Sequence, residues 1–151
     1  MKAYEITGET LAIFPVEGKQ SKVIETEAEY LVEQTPFEII SNSCMYFGCS
    51  YEGRQKGSKK LTGSIYKTPI IVEETRELIF FPTTSPKDNE CCWINAKGIE
   101  GIHRADVYSK TKVELKNGEE YTVDISYPSF HNQMLRSTHL ESRLRDRKLS
   151  I

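Results

Sequence analysis

The chain has 151 residues, 38% of them apolar and 28% charged, with a net charge of −2. These values suit one soluble globular domain that needs neither disulfides nor metal to hold it together. No window approaches the 18 apolar residues of a membrane span, and Glu5 and Glu9 precede any apolar run, unlike a secretory signal, so the cytoplasm is the default compartment.

The first third reads as strands: AYEIT (3–7) and TLAIFPV (10–16) around a Gly8 turn, then SKVIE (21–25) and EYLVEQ (29–34). Pro36 then opens a helix to about residue 47. Phe37, Ile40, Cys44 and Phe47 share one face, and Gly48 is the natural stop. A cationic stretch follows: Arg54, Lys56, Lys59 and Lys60, interleaved with Gly53 and Gly57, which reads as a mobile loop. Further strands are expected over 63–72 and 77–82, with a turn at Glu73–Arg76 and a polar loop over 83–90. CCWIN (91–95) is a short apolar run. Residues 112–126 have a hairpin pattern, with Asn117-Gly118 at a type I′ tip. Ser126 and Pro128 then start an amphipathic helix to about 147, with Phe130, Met134, Leu140 and Leu144 inward and several arginines outward. The fold class is therefore α+β, a single mainly-β domain over 1–151 with helices near 36–47 and 128–147.

Charge is segregated along the chain. Residues 1–40 carry −5, 41–70 carry +4, 71–130 carry −4 and 131–151 carry +3. A polyanion partner is compatible with a slightly negative total, because the local field governs such contacts. Arg and Lys neutralise phosphates, glycines let a backbone follow a groove, and arginine suits a narrow A·T minor groove. A solvated charge run on a turn remains the plainer reading of the spacing alone.

Other chemistries find less support. The cationic stretch matches neither a Walker A motif nor G-x-G-x-x-G. Cys44, Cys49, Cys91 and Cys92 lack C-x2-C knuckles and read as free thiols, not a zinc site. His103, His131 and His139 form no metal or catalytic pattern, and no nucleophile comes with a local base. No cofactor, metal or catalytic role is expected.

SCMYFGCSYEGRQKGS (43–58) resembles the signature of the bacterial competence transcription factor family, ComK. Ser43, Cys44, Tyr46, Phe47, Gly48, Ser50, Tyr51, Gly53 and Arg54 fit it. KTPIIV, FFPTTS, the Trp93-Ile94 pair and the Asn-Gly hairpin followed by Ser126, Ser129, Phe130 and Gln133 are similar to later family segments, in order. Thr68 stands where the family often has proline. The chain also stops at Ile151, where longer members continue into a tail engaged by a protease adaptor.

The resemblance implies a cytoplasmic, nucleoid-associated activator of DNA-uptake genes. It would bind paired A·T-rich boxes in double-stranded DNA, largely through the minor groove, and self-associate as dimers or higher oligomers. RNA polymerase and a protease adaptor are further candidate partners, and no membrane is implied. Arg54 and Lys56 are the candidates for groove entry, and Lys59, Lys60 and Lys67 for phosphates. Arg143, Arg145 and Arg147 are additional contacts, while Gly48, Gly53 and Gly57 shape the loop. Phe47 and Tyr51 are expected to pack its base. The alternative is a regulatory protein that pairs with a full-length relative and modulates its activity.

Overall fold

The computed structural model describes residues 1–150. Its large sheet contains β1 (Thr10–Val16), β2 (Gln20–Glu25), β3 (Glu29–Val32), β4 (Ile70–Glu73), β5 (Leu78–Pro82) and β6 (Trp93–Asn95). All neighbours are antiparallel, in the order β3-β2-β1-β6-β5-β4. A smaller antiparallel sheet follows, β7 (Ile99–Arg104), β8 (Thr111–Leu115) and β9 (Glu120–Val123), in chain order. The helices are α1 (Pro36–Tyr46), α2 (Tyr51–Thr62) and α3 (Tyr127–Leu149). The class is α+β as the sequence implied, with both expected helices in place.

Side chains alternate across a strand. Here successive residues are buried on opposite faces of the large sheet. Ile13, Val23, Phe80 and Trp93 pack with Ile39, Ile40 and Cys44 of α1 and Tyr51 of α2. Their neighbours Ala12, Ile24, Phe81 and Ile94 pack instead with Val113, Leu115 and Val123 of the small sheet and Phe130 of α3. A sheet covered on both faces reads as continuous apolar runs, which is why alternation along β1 and β2 is only partial. A third cluster joins Ile71 and Ile79 to Leu140 and Leu144 of α3, with Leu61 of α2 against it.

The expected helices carry their caps. Thr35 and Glu38 form a reciprocal capping box at α1, with Pro36 in the first turn. Gly48 (φ 85°) ends it: Gly48 N–H donates to Met45 O at 2.9 Å and Cys49 N–H to Cys44 O at 3.0 Å, a Schellman pattern. Ser126 caps α3 by accepting from the Ser129 N–H.

Three local expectations are corrected. Residues 3–7 are not a strand: Tyr4 and Ile6 are buried, but their N–H groups go to Gln34 Oε1 (3.1 Å) and Ser43 Oγ (3.0 Å) in place of a ladder. Of 63–72, Ile70 onward is strand, because Gly63 (φ 73°) and Lys67 (φ 47°) are left-handed and Pro69 has no N–H. The 115–119 turn is not type I′, which requires positive φ at both Asn117 and Gly118. Gly118 alone has it (φ 84°), and its N–H donates to Leu115 O at 3.0 Å. The hairpin therefore uses a type I turn followed by a left-handed glycine. Strand β7 was not anticipated.

Candidate nucleic-acid interface

The stretch 53–60 is helix, not loop. Ser50 Oγ accepts from the Gly53 N–H at 3.0 Å, and the left-handed Gly63 closes the far end by donating to Lys59 O at 2.7 Å. Lys59 and Lys60 sit in the last turn, where cations suit the negative end of the helix dipole. The helix packs against α1, β4 and α3. It therefore lies at the β4 edge of the large sheet, between α1 on one face and α3 on the other.

Gly53 and Gly57 accordingly do not shape a loop; Gly48 does turn the chain between two helices. A Cβ at Gly53 would sit 3.0 Å from Ser50 Oγ, against the cap itself. A Cβ at Gly57 would meet nothing within 4 Å. Gly53, Lys56, Gly57 and Lys60 are exposed at spacings of three and four, one outward face.

The candidate cations divide into two groups. Arg54 faces inward: its side chain is 21% exposed, its Nε is enclosed without a partner among the described residues, and Nη1 lies 4.0 Å from Glu74. Arg145 is tied to Glu77 by Nε at 2.7 Å and Nη2 at 2.8 Å, and to Glu141 at 3.2 Å. The Arg145 hydrogen bonds hold Glu77 down at about pKa 2, and Glu77 in turn raises that of Arg145. By contrast Lys56, Lys59, Lys60, Lys67, Arg143 and Arg147 form no ion pair among the described residues.

Helix α3 brings most of this second group together. Arg143 Nε donates to Leu61 O (3.3 Å), at the end of α2. Arg136 Nη1 donates to Tyr66 O (3.4 Å) and to Gln133 Oε1 (2.9 Å). Buried Gln133 Nε2 donates to Lys67 O (2.8 Å) and Pro82 O (2.7 Å). The last turn of α2, the segment 63–67 and the middle of α3 thus form one cationic surface. Arg147, on the exposed last turn of α3, is not linked to it by any of these bonds. Sequence reading counted Arg136 among the outward arginines without naming it a contact, and missed the tie that Gln133 makes. The available signal was a polar Gln133 in the buried stripe Phe130, Ser137, Leu140, Leu144.

The signature residues mostly build the scaffold beneath this surface. Ser43 satisfies the Ile6 N–H, Ser50 caps α2, and Gly48 ends α1. Tyr51 is buried, its ring 4.8 Å from Phe37 and 6.3 Å from Trp93, and burial pushes its phenol up to about 12. Phe47 packs against the same core. Burial likewise raises the Cys44 and Cys92 thiols to about 12, which makes them poor nucleophiles.

Fold and surface together define a class: an α+β protein of two antiparallel sheets, with a helix along one sheet edge whose lysines form no ion pair among the described residues. The chain belongs to the ComK family, whose pattern, described as ComK protein, matches residues 1–149. It is 35% identical over 150 residues to the competence transcription factor of Bacillus subtilis (strain 168), covering 97% of this chain and 78% of that protein. No solved structure matches the chain.

Proposed function

We propose that residues 1–151 act as one DNA-binding domain, a ComK-type transcriptional activator of DNA-uptake genes that takes A·T-rich paired boxes as an oligomer. The supporting observation is the cationic surface: Lys56, Lys59, Lys60, Lys67 and Arg143 lie on α2, its C-terminal segment and the facing side of α3, with no carboxylate neutralising them among the described residues. The open face at Gly57 favours close approach of a backbone from outside.

The helical state of α2 changes how the minor groove would be reached. A helix with side chains is about 10–12 Å across, and the B-form minor groove is about 6 Å wide. Helix α2 therefore lies across the phosphates and does not enter the groove. Arg54, held inward, supports the helix from beneath, and Lys56 joins the phosphate contacts.

Five phosphates neutralised on duplex DNA give a slope of log K against log[salt] of about −4.5. Titration of an A·T-rich duplex at several salt concentrations tests this. Lys60→Ala should reduce the slope by about one and weaken all duplexes alike. A slope near zero, or no binding, would overturn the proposal and favour a regulatory protein that acts by pairing with a relative.

A further inference from the structure

The segment from Gly63 to Lys67 presents two adjacent large apolar side chains to solvent: Ile65 is 68% and Tyr66 76% exposed. Their backbone is tied down on both sides. Gly63 (φ 73°) and Lys67 (φ 47°) bracket the tip with left-handed turns. Ser64 N–H donates to Thr62 Oγ1 at 3.2 Å, and the Tyr66 and Lys67 carbonyls accept from Arg136 and Gln133. Thr68 and Pro69 behind them are buried. A fold that holds a strained lysine to fix a short turn, yet leaves isoleucine and tyrosine in water, gives the pair no role in its own core.

The surroundings of the tip select its partner. Residues 53–72 contain no Asp or Glu, and neither do residues 131–140 of α3. An apolar point among Lys60, Lys67 and Arg136 complements a partner that is apolar inside and anionic at its margins. Stacked base pairs between two phosphate backbones fit that description. A two-residue tip also fits the minor-groove width that excludes α2.

We propose that Ile65 and Tyr66 form a wedge that enters the minor groove and partly unstacks one base step, while the flanking cations hold the phosphates on either side. This rests on the DNA-binding reading above. Apolar wedges of this kind kink duplexes by about 20–90° toward the major groove. TA steps unstack most readily, so the wedge would add a preference for TA within A·T-rich sequence, beyond groove width.

The test uses the full chain and A·T-rich duplexes recovered by its own selection from random sequence. The duplexes carry donor and acceptor dyes at their ends and 2-aminopurine in turn at each TA step. The parent protein should bend the duplex and raise 2-aminopurine fluorescence at one step per bound site. Ile65→Ser with Tyr66→Ser should abolish both signals and lower affinity for these duplexes at least tenfold. It should keep the far-ultraviolet spectrum, the salt slope and the weak binding to G·C-rich duplex, and Tyr66→Phe should retain bend and fluorescence.

Binding by the parent without bend or unstacking, or a double variant that bends DNA like the parent, would overturn the wedge and leave DNA binding standing. A double variant that loses G·C-rich binding, or changes the sedimented mass of the DNA-free protein, would also overturn it, assigning the tip to the phosphate platform or to self-association. A parent that binds no duplex at all removes both proposals together.

Discussion

Gly118 and Glu77 occupy equivalent places in two hairpins. Each donates its N–H to the carbonyl three residues back, at 3.0 Å, and each is left-handed, at φ 84° and 52°. Glycine adopts that backbone without a Cβ clash, whereas glutamate does so at a cost of about 1–2 kcal/mol. What Glu77 gains is three short contacts: the two from Arg145 and one from Lys97 Nζ at 3.3 Å. Its side chain is well enclosed, and the Arg145 hydrogen bonds lower its pKa from 4.5 to about 2. A folded-state pKa below the unfolded one means the contribution is complete above pH 4.5 and drains as pH falls toward 2. Glu77→Gln should therefore lower the melting temperature at pH 7, and its gap from the parent should narrow below pH 4.5 and close near pH 2. Melts across that range check this; a gap unchanged with pH would show that shape, not charge, holds the residue. The same carboxylate neutralises Arg145, which removes that arginine from the free cations.

Helix α2 is the element on which the functional reading turns, and its composition works against it. A glycine inside a helix costs about 0.5–1 kcal/mol relative to alanine. Gly53 has a local reason, since a methyl there would press on the Ser50 cap, but Gly57 has none among the described residues. Gly57→Ala should therefore raise stability by about 0.5–1 kcal/mol in denaturant melts. If the open face receives a duplex backbone, the same change should weaken DNA binding several-fold. Stabilisation without loss of binding would place the DNA elsewhere.

The contrast between helices explains what the sequence disclosed. In α1 and α3 the buried face is apolar at helical spacing and the caps are conventional, so both were legible. In α2 the inward positions are Tyr51, Arg54, Ser58 and Leu61, of which Tyr51 and Ser58 are buried. No apolar stripe marks it, and two glycines argue against helix. The caps Ser50 and Gly63 were the remaining signal. Strand β7 was hidden similarly, with Glu100 and the bulge-adjacent Gly101 between its apolar Ile99 and Ile102, and His103 and Arg104 after them. The cations of the candidate surface were legible singly. Their convergence was not, because it depends on Gln133, Arg136 and Arg143 reaching across from α3, a tertiary fact.

At the scale of the whole molecule, the charge segregation along the chain becomes a separation in space. The first 40 residues, at −5, build β1, β2 and the β3 edge of the large sheet, whereas residues 41–70, at +4, include the helix on the opposite β4 edge. Six strands at about 4.8 Å spacing put those edges about 24 Å apart. These two segments thus set an acidic edge against a cationic one, a difference that would turn the cationic edge toward a polyanion during approach. The Debye length decides when the acidic edge is felt: about 30 Å at 0.01 M salt and about 8 Å at 0.15 M. Neutralising exposed carboxylates there, Glu27→Gln with Glu33→Gln, should raise the association rate with duplex DNA about two- to threefold at 0.01 M salt. At 0.15 M the rate should match the parent, and dissociation should be unchanged at both, because neither residue touches the DNA in the proposed arrangement. Stopped-flow association and dissociation rates at the two salt concentrations check this. A changed dissociation rate at 0.15 M would mean that the β3 edge itself meets the DNA, and the proposed orientation of the protein on the duplex would have to be abandoned.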